Sequence, residues 1–266
     1  LNCIWDERRL PVNAFSLLVG ISAALGLAWT VWRMPNAPQP VVERLLRSEL
    51  WVMFGAMVGA RIAYLLPNLP YYIDHPTAMI AFWEGGLSWT GALPGTVLTV
   101  ILVGRKMQKG IPRLADALLP AALLVCMGIW LGCWQSGVAY GIQLSAGSGW
   151  GLPSIDETGR YALRIPLQLI GAMLTLLCFT IIEQSKAPFL RASGHRGLAA
   201  LISITALLLA LSFFRADPAP QWMGLRWESW LGMVYLLAEM GLVVRLSISP
   251  HRLQNATREP DPAVRT

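Results

Sequence analysis

Four groups of residues in this 266-residue chain have types and spacings that could do chemistry. They are Gly59-Ala60-Arg61-Ile62-Ala63-Tyr64, then Glu84-Gly85-Gly86-Leu87-Ser88-Trp89-Thr90-Gly91, then Arg164-Ile165-Pro166-Leu167-Gln168, and Phe213-Phe214-Arg215-Ala216-Asp217. Donors at a helix mouth bind phosphate or ester oxygens. Arg61, Arg164 and Arg215 are therefore candidate cations for an anionic lipid phosphate, with Tyr64, Glu84, Gly85, Gly86, Ser88 and Gln168 as candidate walls of the cleft. Each has a plainer reading. Arg61 could pair with Glu84 or another loop acid, or snorkel to the membrane surface. Arg164 could anchor the interface, and Glu84 could stabilise a helix N-terminus where burial would otherwise make it a base.

The remaining reactive types read as structural. Asp74-His75-Pro76 reads as a turn. The cysteines Cys3, Cys126, Cys133 and Cys178 form no CxxC or Cys/His pattern, so no metal site is expected, and no cofactor. Cys133 reads as a small packing thiol. Glu239 falls within an apolar run, where it either pairs with a polar group of another helix or sits neutral.

The elements that must position these residues are membrane helices. Hydrophobic residues make up 55% of the chain, charged residues 14%, and the mean hydropathy is +0.51, which excludes an ordinary soluble enzyme. Seven apolar runs, near 15–32, 50–66, 87–104, 117–134, 166–182, 197–214 and 230–248, approach the roughly 20 residues that span a hydrocarbon core. They lack the alternation of barrel strands. The expected fold class is an all-α integral membrane protein with seven transmembrane helices, as one domain over 1–249 and a flexible cytoplasmic tail over 250–266. The first run, with no small-residue cleavage site after it, reads as a retained helix.

The net charge of +6 sits in alternate loops and does not imply nucleic acid. Arg33, Arg44 and Arg47 follow the first run, Arg105, Lys106, Lys109 and Arg113 the third, and Lys186, Arg191 and Arg196 the fifth. The positive-inside rule then puts the N-terminus outside and the C-terminus in the cytoplasm. Segments 67–86, 135–165 and 215–229 lie on the outer side, rich in Trp, Tyr and Gly, and short interfacial helices are expected there.

In order and spacing, these motifs resemble the prolipoprotein diacylglyceryl transferase family: Gly59-x-Arg61-x-x-Tyr64, Trp83-x-Gly85-Gly86-Leu87-Ser88-Trp89-Thr90-Gly91, Tyr140-Gly141, Trp150-Gly151, Arg164-Ile165-Pro166-Leu167-Gln168 and Phe213-Phe214-Arg215. The resemblance covers roughly residues 12 to 248. It implies a multi-pass protein of the bacterial cytoplasmic membrane that moves a diacylglyceryl group from phosphatidylglycerol to the lipobox cysteine of a prolipoprotein. Such chemistry needs a base for a thiol of pKa about 8.5 and cations for the departing glycerol phosphate.

Against the family pattern, Thr90 stands at the histidine, Cys133 at the arginine of the Gly-Arg loop, and Leu208 at the arginine of the sixth helix. Ile165 replaces a second histidine, and the tyrosine near the start of the first helix falls near Asn13. Three readings follow. One is a transferase with a divergent site built on Arg61, Arg164 and an acid such as Glu84. Another is a non-catalytic relative that binds phospholipid, a prolipoprotein signal peptide or another membrane protein. The last is a small transporter.

Overall fold

In hydrocarbon every backbone N–H and C=O must be satisfied within its own segment, so each apolar run closes into a helix. The computed structural model describes residues 14–82, 85–107, 110–145, 147, 149–156 and 158–256, with side chains through 246. Among the described residues the α-helices are α1 (Ala14–Trp32), α2 (Gln39–Leu65), α3 (Leu69–Asp74), α4 (Trp89–Gly104), α5 (Gly110–Ala117), α6 (Leu119–Ser136), α7 (Leu167–Gln184), α8 (Pro188–Arg191), α9 (His195–Ser212) and α10 (Trp227–Ala256). Among the described residues, α1, α2 with its continuation to Asp74, α6, α7, α9 and α10 are long and apolar enough to cross a membrane. The 16-residue α4 is a shorter apolar helix at the third expected run, so the all-α membrane architecture is as expected. The last helix runs to Ala256, past the expected start of the tail at Pro250.

The segments expected on the outer side differ from expectation in one respect. The first forms α3 and a 3₁₀ turn at Pro76–Ile80, but the other two form β-hairpins. Strand β1 (Leu152–Ile155) pairs antiparallel with β2 (Tyr161–Arg164), and β3 (Gln221–Trp222) with β4 (Leu225–Arg226). In the second hairpin, Met223 and Gly224 have φ of +51° and +79°, the signature of a two-residue primed turn. A strand pair satisfies its own backbone groups, as a helix would, and suits the Gly-rich composition of these segments.

Helix α6 is the centre of the bundle and packs against α1, α7 and α9. Leu119, Leu123 and Trp130 of α6 form one cluster with Leu167 and Phe179 of α7 and Ile204 of α9. Small residues let α1 and α6 approach closely: a Cβ on Gly26 would lie 2.5 Å from Ala121 Cα. Beside this core, α2 and α4 cross with backbone against backbone. A Cβ on Gly59 would lie 2.4 Å from the Gly91 carbonyl oxygen, and one on Gly95 2.5 Å from the Gly55 oxygen. This crossing carries Arg61 and Thr90 to the same end of the bundle.

Candidate functional site

Helix α4 contains Pro94, which has no N–H to give to the carbonyl four residues back, that of Thr90. Tyr235 of α10 supplies the missing donor: its hydroxyl donates to the Thr90 carbonyl at 2.6 Å. Thr90 is thus fixed at both ends, since its side-chain oxygen lies 2.7 Å from Ser88 Oγ. The Ser88 amide donates to the Ala60 carbonyl at 3.0 Å, tying the entry of α4 to α2.

Arg61 is only 4% exposed, near the C-terminal end of α2. Its Nε donates to Met79 O at 3.0 Å, Nη2 to Ala78 O at 2.5 Å, and Nη1 to Gly85 O at 2.5 Å and Gly86 O at 3.0 Å. The rings of Tyr64, Tyr72 and Phe82 lie 5.9, 5.5 and 5.8 Å from its Cζ. Gly85 and Gly86 have φ of +92° and +70°, and a Cβ on Gly86 would lie 2.7 Å from Arg61 Nη1. The glycine pair is therefore the form of backbone that can turn two carbonyls onto a guanidinium at this distance. The local motif reads as a clamp: one arginine holds Ala78, Met79, Gly85 and Gly86 by their backbone.

Arg164 ends β2, buried, with Nη2 donating to Asp156 Oδ2 at 3.0 Å and Cζ 4.3 Å from the Tyr140 ring centroid. Asp156 Oδ1 accepts from the Thr158 amide, the Thr158 hydroxyl and the Arg160 amide at 3.0, 2.6 and 2.9 Å. Gln168, also buried, donates to the Val138 carbonyl at 2.9 Å.

Arg215 sits in a four-charge group. Its Nε and Nη2 reach both oxygens of Asp217, at 2.8 and 2.5 Å, and Nη1 reaches Glu228 at 3.0 Å. Arg226 Nη2 completes the square at 3.2 Å from Asp217 and 3.3 Å from Glu228. Glu228 also accepts from Trp89 Nε1 at 2.8 Å, so the group is fastened to the start of α4. Two guanidinium and two carboxylate charges sum to zero.

Segment 140–144 runs between Arg164 and Arg215. Ile142 donates to Phe214 O at 3.1 Å on one side, and Ile165 donates to Ile142 O at 3.1 Å on the other. The structure thus brings Arg164 and Arg215 to opposite sides of one extended segment. Arg61 clamps a separate loop, and the three guanidinium groups share no hydrogen-bond partner among the described residues.

The other predicted positions lie as follows. Cys133 and Leu208 pack against the central core. Thr205 donates to Glu239 Oε1 at 2.7 Å, the interhelical pairing that the sequence left open. Exposed His75, between α3 and the 3₁₀ turn, stacks on Tyr71 at 4.6 Å, with Nδ1 3.1 Å from the Tyr71 carbonyl. Glu84, Trp83 and Asn13 lie outside the described residues. Sequence reasoning missed Asp156 and Glu228 as partners and Trp89 as a donor. The spacings Arg215-x-Asp217 and Arg226-x-Glu228 were the available signal.

Burial opposes ionisation of Asp217, but the hydrogen bond and charge of Arg215, then those of Arg226, outweigh it and hold its carboxyl below the ordinary 3.8. Hydrogen bonds from Thr158 and Arg160 act on Asp156 in the same direction. A carboxyl depressed by folding stabilises above its unfolded pKa and loses that contribution as pH falls through the folded one. The two hairpin segments are expected to hold from neutrality to about pH 4 and to loosen below it. Hydrogen exchange across 213–228 in detergent checks this; loosening centred near pH 6 would contradict it.

The sequence profile described as prolipoprotein diacylglyceryl transferase matches residues 3–245. The chain belongs to that family. It is 33% identical over 211 residues to the phosphatidylglycerol–prolipoprotein diacylglyceryl transferase of Nitrobacter hamburgensis, covering 75% of this chain and 68% of the relative. Phosphatidylglycerol–prolipoprotein diacylglyceryl transferase 2 of Streptomyces coelicolor is 25% identical over 262 residues, 94% of this chain and 80% of its own. The Geobacter sulfurreducens relative of the same name is 39% identical over 122 residues, 45% of each chain. Membership of the diacylglyceryl transferase family, with its several apolar helices, makes this a multi-pass protein of the bacterial cytoplasmic membrane. In this member of the diacylglyceryl transferase family, the Gly-x-Arg-x-x-Tyr motif is the loop clamp, and its glycine is the α2–α4 contact.

Proposed function

We propose that this chain engages the two substrates for which its relatives are named, phosphatidylglycerol and prolipoprotein, without transferring the diacylglyceryl group between them. The observation that carries the reading is that Arg61 and Arg215 donate from Nε and both Nη atoms to protein partners, while Arg164 is held through Nη2 by Asp156. The three positions where the family has a base and two cations hold Thr90, Cys133 and Leu208. A threonine hydroxyl paired with Ser88 takes no proton from a thiol near neutral pH. An arginine whose charge is already offset by Asp217 and Glu228 gives little to a departing phosphate.

Binding is supported by what is kept. Loop charge orients the chain with its N-terminus outside, so the clamp and hairpins face the outer leaflet. Exposed Trp150, Tyr161, Trp222 and Trp227 surround them, at the level where such rings settle among headgroups. In cells depleted of their own transferase, expression of this chain is expected to leave prolipoprotein unmodified while the chain co-purifies with it. Restored lipoprotein maturation would overturn the reading. A second reading, transfer from a divergent site, draws on the Nε atoms of Arg164 and Arg226, buried and without a partner among the described residues. It predicts that restoration.

A further inference from the structure

The opposite end of the α2–α4 pair carries a feature that the outer site does not use. A cavity of about 470 Å³ opens there, lined among others by Arg44, Ser48 and Trp51 of α2 and by Lys106 after α4. Trp51 also lines a second cavity of about 300 Å³ that continues along the helix crossing, floored by Gly55, Gly59 and Gly95 and walled by Phe54 and Leu98. Phe54 and Leu98 are exposed on the outer surface of the bundle, so this channel faces the bilayer.

The two parts differ in chemistry. The first is basic: among the described residues neither Arg44 nor Lys106 has an acidic partner, and neighbouring Glu43 is held by Arg47 at 2.8 Å. Glu49, the other acid of α2, is fully buried and lines neither cavity. The second part is apolar, and its glycines are those at which α2 and α4 meet. From Ser48 to Ile62, which also lines it, the helical rise gives roughly 21 Å, more than the roughly 15 Å depth of one leaflet's hydrocarbon.

We propose that this groove holds one anionic diacylglycerophospholipid of the cytoplasmic leaflet, its phosphate on Arg44 and Lys106 and an acyl chain over Gly55, Gly59 and Gly95. The charge complementarity decides the occupant: two unpaired cations beside an interfacial tryptophan, at the head of an apolar channel, match an anionic headgroup with its tail. The leaflet follows from the loop charges, which put Arg44 and Lys106 on the cytoplasmic side. The headgroup end shares no residue with the outer clamp, and only the apolar end of the groove reaches Gly59 and Ile62 beside Arg61.

The test counts lipids retained by the full chain. Protein in mild detergent is exposed to vesicles of phosphatidylglycerol or of phosphatidylcholine, washed, and read by native mass spectrometry. Arg44→Gln with Lys106→Gln is expected to retain one phosphatidylglycerol fewer than the unaltered chain, a fall of about tenfold or more in that bound species, as each basic group adds a several-fold factor toward anionic lipid. Leu98→Trp, which fills the channel and leaves both cations, is expected to do the same, and Arg44→Lys to keep the lipid. Unchanged thermal unfolding of the lipid-free variants reports that they are folded. Equal retention by the double variant, or phosphatidylcholine held as well as phosphatidylglycerol, overturns the proposal. A lipid that persists in the double variant belongs to the outer site, so the two readings fail separately.

Discussion

Arg61→Ala is expected to release the whole 78–86 loop and to lower the stability of the folded protein by about 3–5 kcal/mol. Four backbone carbonyls, those of Ala78, Met79, Gly85 and Gly86, take their hydrogen bonds from this side chain. The Ala78 carbonyl keeps the Ala81 amide at 3.3 Å, each of the other three part-buried acceptors left without this donor costs about 1–3 kcal/mol, and water entering the loosened loop returns part of the sum. Arg61→Lys is not expected to rescue it, because an ammonium cannot present the planar fork that meets carbonyls on three sides. Thermal unfolding in detergent reads the loss, and hydrogen exchange locates it in 78–86 ahead of the core. A variant that keeps its stability and loses only phospholipid binding would show Arg61 to be a ligand-binding residue and not a clamp.

Gly91→Ala is expected to be nearly as damaging, although it adds one methyl group. That methyl would stand 2.1 Å from the Gly59 carbonyl oxygen and 2.4 Å from Ala63 Cβ. The first obstacle is backbone, so α4 has to move away from α2 as a body. Overpacking of this kind costs about 1–3 kcal/mol and occasionally more. Here the shift also carries Ser88 and Trp89, and through Trp89 the Glu228 carboxylate that holds Arg215. The contrast is Gly241→Ala on α10, where a Cβ meets nothing within 4 Å. Alanine there is expected to be neutral or to stabilise by up to about 1 kcal/mol, as in any helix interior. Equal melting temperatures for the two variants would refute the close crossing.

Much of the bundle was legible because hydrocarbon imposes one rule on every span, and an apolar run of sufficient length obeys it wherever it falls. The ends were less legible. Helix α2 begins at Gln39, eleven residues before its apolar run, because Glu43, Arg44 and Arg47 continue the helix into a polar setting that hydropathy does not register. The hairpins were hidden by a different cause: aromatic and glycine-rich composition suits either an interfacial helix or a turn. Only local chemistry separates them, such as Asp156 accepting from Thr158 and Arg160, or Met223-Gly224 at positive φ.

The candidate cations were legible as residues and illegible as partners. Arg61 announced itself by its cost at that depth, but the carbonyls that hold it come from a loop up to 25 positions away. Arg215 and Glu228 are joined across 13 residues, and Trp89 joins Glu228 across 139. Such pairings are made by the tertiary fold and carry no local signature beyond charge. The glycines show the converse. Gly59, Gly85, Gly86 and Gly91 looked like parts of a site and are explained by packing and backbone geometry within the described residues.

The most direct measurement of the central claim is diacylglyceryl transfer itself, with purified full-length protein in phosphatidylglycerol vesicles and a lipobox peptide bearing a free cysteine. The expected result is phospholipid and peptide bound by a folded protein, with no thioether product above the protein-free background. Product formed at a rate that rises with protein concentration and falls on Arg164→Gln would contradict the account, and would make the divergent cluster an active site.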